Sequence, residues 1–316
     1  MNCRICNHTE GKHYNAIEMM FGIKDNFDYF ECDNCGCLQI TEFPANMAKY
    51  YPANYYSFST VSDDPGFIKK IIKKLRDKYA VTGKGIICRL LYPYFPNESL
   101  KILSAVEVKK SSSILDIGCG DGVLLKTLSS IGYKNLLGAD PFIKQDIVYE
   151  DGLKIVKKFV YEMEEKWDII MFHHAFEHVP NPAATLKTVS EMLNPNGRCI
   201  IRIPTVSSYA WNHYGVKWVQ LDAPRHFFLH SLKSMELLAQ EAGLSIEKTI
   251  YDSTDFQFWG SEQYLKDIPL FDDRSYGVNP DKSIFSPQDI KGFRKKATEL
   301  NAANNGDSCG FILKKQ

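Results

Sequence analysis

Leu115-Asp116-Ile117-Gly118-Cys119-Gly120-Asp121-Gly122 is the stretch that decides the fold. The apolar run Ser112–Ile117 reads as a buried strand. After the glycines, Val123, Leu124, Leu125 and Leu128 recur at helical spacing, and Gly132 is a natural C-cap. Strand, glycine loop and helix in that order open a parallel α/β sheet. The glycines stand at 118, 120 and 122. In the dinucleotide fingerprint GxGxxG the third glycine comes one residue later, and the helix N-terminus receives a pyrophosphate. Here an acid, Asp116, precedes the loop, which suits a zwitterionic or cationic ligand better. A second apolar run, Leu136-Leu137-Gly138-Ala139, ends in another acid, Asp140. A carboxylate at the tip of a second strand is placed to accept both hydroxyls of a ribose.

Downstream stands Trp167-Asp168-Ile169-Ile170-Met171-Phe172-His173-His174-Ala175-Phe176-Glu177-His178-Val179-Pro180, and then Leu193-Asn194-Pro195-Asn196-Gly197-Arg198. With the glycine loop and Asp140, these segments resemble the class I S-adenosylmethionine (SAM) methyltransferases, and the likeness runs over residues 105–250. The resemblance implies a Rossmann-like α/β fold with a seven-stranded, mostly parallel sheet. It implies SAM as cofactor: Gly118 and Gly120 let the backbone approach the methionyl end, Asp116 orients that end, and Asp140 holds the ribose. Cys119, Gly122 and His173 complete the expected cofactor set, and Phe159–Tyr161 would flank adenine. Strands are expected near 112–117, 134–139, 154–160, 167–172, 198–203, 244–250 and 309–314. Asn181 caps a helix with Pro182 at N1, and Ser231 starts another that Gly243 stops.

In front of this core the chain carries Cys3-x2-Cys6 and Cys32-x2-Cys35-Gly36-Cys37. Two CxxC knuckles are the usual way to hold tetrahedral zinc, because a two-residue spacer lets both sulfurs of a turn face one ion. Cys3, Cys6, Cys32 and Cys35 are the expected ligands of a structural Zn2+, with Cys37 able to replace Cys35. Asn7 and Gly36 suit the turns. Three parts follow: a zinc-ribbon-like module over 1–45, a helical connector over 46–105, and the methyltransferase domain over 106–316, with 251–300 inserted before the last strand. The connector is rich in tyrosine (Tyr50, Tyr51, Tyr55, Tyr56) and closes at Pro93 and Pro96. Between Gly66 and Tyr79 apolar residues recur at helical spacing beside six lysines and arginines. We read this as a domain-packing helix with a solvated basic face; the alternative is a peripheral contact with a membrane or a partner.

The charge balance is 38 Lys+Arg against 38 Asp+Glu, and this neutrality argues against bulk nucleic acid as the partner. No signal-peptide pattern and no apolar run of membrane-spanning length is evident, so a cytoplasmic enzyme is expected. The motif His174-x-x-Glu177-His178 matches a zinc-peptidase pattern, but Val179-Pro180-Asn181-Pro182 forbids the helix such a site needs. The same segment resembles the ubiquinone-biosynthesis O-methyltransferases, which carry acids and a histidine around a divalent ion; this chain has His174 where those have an acid. Histidine is the fitting general base for an acceptor hydroxyl. His174 and His226 are the base candidates, with Glu177 and His178 as their neighbours in the catalytic set or as braces of the loop. The stretch from Tyr214 to Phe227 is polar and aromatic together, and Tyr214, Trp218, Asp222 and Arg225 are expected to receive the substrate. Cysteine module, core and Asp222-Ala223-Pro224-Arg225-His226 together resemble methyltransferases of bacterial surface-glycan and deoxysugar pathways. The expected reaction is methylation of a sugar hydroxyl on a nucleotide- or lipid-linked glycan. The alternatives are a sugar C-methyltransferase, an RNA base methyltransferase gripping RNA with its zinc module, and a non-enzymatic SAM-binding module.

Overall fold

A computed structural model describes residues 1–51, 67–85, 88, 89, 92 and 96–316. Tyr55, Tyr56, Gly66 and Pro93 of the connector lie outside the described residues. The chain begins with three short strands, β1 (Gly11–Ile17), β2 (Asn26–Cys32) and β3 (Leu38–Ile40). Helix α1 (Phe67–Thr82) and the single turn α2 (Glu98–Lys101) follow. Then come β4 (Ile114–Ile117), α3 (Val123–Ser130), β5 (Leu136–Ala139), β6 (Ile147–Val148), β7 (Lys154–Val156) and β8 (Trp167–His173). The third quarter holds α4 (Pro182–Met192), β9 (Leu193–Pro204), α5 (Tyr209–Tyr214), β10 (Phe228–Leu229) and α6 (Leu232–Glu241). Last are β11 (Leu244–Tyr251), α7 (Phe256–Leu265), α8 (Pro287–Ala302) and β12 (Ser308–Lys315).

The main sheet has the order β11-β12-β9-β8-β4-β5-β7-β6. Five central strands run parallel, and β12 enters antiparallel between β9 and β11. This is the expected Rossmann-like arrangement with one addition, the two-residue edge strand β6. The expected third strand, 154–160, ends at Val156, because Lys157 and Lys158 are exposed and the chain turns toward the 3-10 segment Val160–Glu162. Alternation along β8 builds two cores. Ile170 and Phe172 pack with Leu186, Val189, Met235 and Leu238 under α4 and α6. Ile169 and Met171 face the other way, toward Leu125 and Leu128 of α3 and Ala80 and Val81 of α1. The caps form as read: Asn181 accepts from Ala184 N, and Ser231 accepts from Ser234 N.

The cysteine-bearing strands are not a free-standing unit. β3 pairs with β10 from far downstream, so the small sheet reads β1-β2-β3-β10. Ser231 Oγ donates to Cys35 O, and Tyr29 Oη donates to His226 O at 2.8 Å. A fully buried ion pair, Arg225 Nη2 to Glu18 Oε1 at 2.9 Å, fixes the loop after β1 to the segment before β10.

The expectation for α1 needs correction. Its last turns pack, with Asp77, Ala80 and Val81 buried, but Ile71, Ile72 and Leu75 are exposed. Among the described residues the C-terminal half packs against α2 and the turn Ile102–Ala105, while Ile71, Ile72 and Leu75 stay outside the core.

Candidate active site

The glycine loop sits at the carboxyl end of β4, the crevice where open parallel sheets bind ligands. Gly118, Gly120 and Gly122 all have positive φ (72°, 56° and 77°), a conformation that L side chains rarely adopt. At Gly118 a Cβ would also come within 2.5 Å of the Ala175 Cβ, so the loop after β8 closes directly on the glycine turn. Asp140 ties the two strand tips together: Oδ2 accepts from Gly120 N and Oδ1 from Phe142 N, both at 2.8 Å. Cys119 turns inward over Gly138, where a Cβ would meet its Sγ at 2.5 Å, so it lends the loop its backbone and not its thiol.

Asp116 is buried, and its Oδ1 has no hydrogen-bond partner. Burial, reinforced by the nearby Asp140, pushes its carboxyl up to about 8. A cationic group would satisfy that orphan and restore the carboxylate, and the ammonium of SAM's methionyl end is such a group. Beside Asp140, Phe142, Phe159 and Tyr161 are exposed, with Phe159 and Tyr161 stacked at 5.1 Å and Phe142 edge-on to Phe159 at 6.5 Å. These rings offer an adenine a flat, apolar seat. Phe142 escaped the sequence reading, although a large aromatic directly after an acidic strand tip is a visible signal. The carboxylate acceptors, the glycine turns and the rings fit SAM.

A cleft of about 210 Å3 opens on the β8–β9 side of the loop, lined by His174, Arg202, Gln220, Asp252, Thr254, Phe256 and Ser308. His174 has positive φ, and its Nε2 meets Arg202 Nη1 while its Nδ1 lies 3.5 Å from Glu177 Oε1. Arg202 is held in turn by Asp252, whose other oxygen accepts from Ser308 Oγ at 2.9 Å. Glu177 is fully buried. Burial would raise it, but His174, His178 and His226 around it prevail and hold it down at about 2. His173 lies behind, both ring nitrogens buried without partners, kept neutral with its pKa near 3 by burial and then by Arg202.

His178 and His226 have their tautomers set by backbone carbonyls. His178 Nδ1 faces Arg225 O at 2.7 Å and His226 Nδ1 faces Gln220 O at 2.8 Å, so each Nδ1 carries a proton that it donates to a carbonyl. Burial first, then His178, brings His226 down to about 4, so it is neutral at pH 7. Its Nε2 stands 3.9 Å from Glu177 Oε1 and 3.8 Å from Asp222 Oδ2. Glu177, His178 and His226 place one donor atom each within 4.8 Å of one another, a set able to hold a metal ion. The peptidase pattern is not realised: Phe176–His178 is one 3-10 turn, not a helix.

The expected substrate residues are brought to this region but turned inward. Trp218 has no exposed surface, and its Nε1 donates to Asp307 at 2.9 Å. Tyr214 Oη donates to Glu262 at 2.9 Å. Asp222 and Arg225 pair with each other, and Arg225 also reaches Glu18 and Tyr50 O. Their partners lie far away in sequence, so the polarity of the loop is consumed in holding it. From the same loop, Gln220 lines the cleft instead. Arg202 also went unread, although one charge in the apolar strand Cys199-Ile200-Ile201-Arg202-Ile203 is a legible oddity.

The four N-terminal cysteines meet as spaced. Cys3 Sγ lies 3.6 Å from Cys35 Sγ and Cys6 Sγ 3.5 Å from Cys32 Sγ, and all four sulfurs fall within 4.8 Å of one another. Sulfurs tetrahedral about zinc at about 2.3 Å stand roughly 3.8 Å apart, so the cluster fits that ion. Asn7 and Gly36, both at positive φ, donate their N–H to Cys3 O and Cys32 O and make the two turns. Cys37 points away, toward His230 Nδ1 at 3.9 Å.

A family model described as "Methyltransferase domain" matches residues 82–249, more than half of the chain. The chain belongs to that methyltransferase-domain family. It is 30% identical over 128 residues to a protein named ubiquinone biosynthesis O-methyltransferase from Azorhizobium caulinodans, covering 37% of this chain and 50% of that one. To the protein of the same name from Nitrosospira multiformis it is 28% identical over 155 residues, or 43% and 64%. The chain thus spans about half to two thirds of the length of these two relatives. Among solved structures, the cyclopropane synthase MmaA2 from Mycobacterium tuberculosis aligns with a TM-score of 0.44 and 14% identity, covering 70% of this chain and 88% of that one. No helix among the described residues is long and apolar enough to cross a membrane.

Proposed function

We propose that this methyltransferase methylates a hydroxyl of a sugar on a nucleotide- or lipid-linked glycan. The lining of the cleft beside the glycine loop carries the reading: two charged groups, an amide, two hydroxyls and a histidine surround a single aromatic, Phe256. Such a lining suits a polyhydroxylated ring with one face against Phe256. When bound, SAM supplies an electrophilic methyl group to an acceptor oxygen. Asp116 would receive its ammonium, Asp140 its ribose, and Phe142, Phe159 and Tyr161 its adenine. Glu177 Oε1 lies 3.5 Å from His174 Nδ1 and would orient the ring, whose Nε2 meets Arg202 at the cleft. There the acceptor hydroxyl would displace Arg202 and give up its proton to Nε2 as its oxygen becomes nucleophilic. His226, neutral and beside the same carboxylate, is the other base candidate. The cluster offers four cysteine sulfurs and no other ligand, and we read it as a structural Zn2+ site that secures the small sheet.

A second reading, an aromatic hydroxyl, rests on the relatives' names. Incubation with methyl-labelled SAM and parallel panels of nucleotide sugars, lipid-linked glycans and dihydroxybenzenes, read by product mass, tests both. A sugar O-methyl product supports the proposal. A product on the aromatic panel alone, or a C-methyl sugar, overturns it.

A further inference from the structure

The first turns of α1 hold an apolar ridge out to solvent. Ile71, Ile72 and Leu75 are 43%, 52% and 50% exposed. The helix is fastened by its other side, where Asp77, Ala80 and Val81 are buried and Asp77 accepts from Asn97 Nδ2 at 2.9 Å. At about 100° per residue, Asp77 and Ala80 project roughly opposite to Ile71 and Leu75, with Val81 to one side. A helix that served only to pack would bury the Ile and Leu stripe. Lys69, Lys74 and Lys78 are exposed on the flanks of the ridge, Lys70 and Lys73 are exposed on the far side of the helix, and the helix has no acid in its first turn. Its one carboxylate, Asp77, is buried and paired with Arg76.

The residue types select the occupant. Protein interfaces concentrate energy in Trp, Tyr and Arg and are depleted in lysine. An aliphatic ridge bordered by lysines fits a lipid interface instead: the ridge enters the boundary between headgroups and acyl chains, and lysine stems lie along it with their ammonium ends among anionic headgroups. We propose that α1 docks this protein on an anionic lipid surface. The proposal does not depend on which acceptor is methylated.

Cosedimentation of the full chain with vesicles of phosphatidylcholine alone, or with about one third phosphatidylglycerol, tests it. The expected result is at least roughly tenfold stronger binding to the anionic vesicles at low salt, with most of it lost at high salt. The triple variant Ile71→Ser, Ile72→Ser, Leu75→Ser should bind them about tenfold less while keeping its SAM affinity. Changing Lys69, Lys74 and Lys78 to Gln should remove the preference for anionic lipid. Equal binding to both vesicle types, binding to neither, or undiminished binding by the triple variant overturns the proposal. Light scattering that shows a dimer broken by the triple variant, without vesicle binding, assigns the ridge to self-association and also overturns it.

Discussion

The proposed cofactor half and the proposed acceptor half of the site lie side by side at the carboxyl edge of one sheet, but they are assembled in opposite ways. The cofactor half comes from consecutive strand–turn units: Asp116 near the end of β4 with the turn Gly118–Gly122, and Asp140 with Phe142 after β5. The acceptor half collects His174, Arg202, Gln220, Asp252, Phe256 and Ser308 from segments spread over more than a hundred residues. It also rests on the N-terminal sheet through Glu18–Arg225 and β3–β10. A locally built half should tolerate injury elsewhere; a half built from distant pieces should not.

Removing metal from the cysteine cluster with a strong chelator should cause the largest separation of the two. Transfer activity is expected to be lost almost wholly, while SAM affinity by calorimetry stays within about threefold, because structural zinc contributes folding energy directly. Equal loss of both would join the halves. Next, His174→Ala and Glu177→Gln should each lower kcat by about 10^2 to 10^4, again with SAM binding intact. Full turnover in either variant would remove that residue from the chemistry. Arg225→Met would leave Glu18 and Asp222 buried without their cation, at a cost of about 3–5 kcal/mol in unfolding free energy. Denaturant unfolding measures that cost, and a change under about 1 kcal/mol would show that the link between the sheets is not energetic.

The smallest effect is a pH dependence confined to the cofactor half. Asp116, raised to about 8, carries a proton at pH 7 that a cationic ligand must displace. SAM affinity should therefore rise by up to about tenfold per unit between pH 6 and 8 and level off above. The sign for stability is the reverse: the ligand-free native state holds this proton and the unfolded chain does not, so stability falls as pH rises from about 4 to 8. Calorimetry in buffers of different ionisation enthalpy reads the released proton directly, and a flat profile would place the ligand's charge elsewhere.

Legibility followed the same division. The strand and glycine turn that carry Asp116, Gly118 and Gly120, and the place of Asp140 beside them, were readable because strand, turn and acid adjoin in sequence. The cysteines were readable for the same reason. Trp218 and Arg225 misled because a polar, aromatic loop looks alike whether it faces a sugar or its own scaffold; what decides is Asp307 and Glu18, which no local pattern connects to them. The inward turn of the basic helix failed similarly. Its periodicity was plain, but whether anything covers Ile71 and Leu75 is a property of the assembled body.

The pairing of Leu38 with Leu229 and of Gln39 with Phe228 has a consequence for the making of the protein. A ribosome adding about 5–20 residues per second needs roughly ten to forty seconds to travel from β3 to β10. Throughout that interval one edge of the small sheet has no neighbour, and unpaired edges recruit other chains. Nascent chains stalled before Phe228 should therefore clump on release, and those a few residues past Leu229 should stay dispersed.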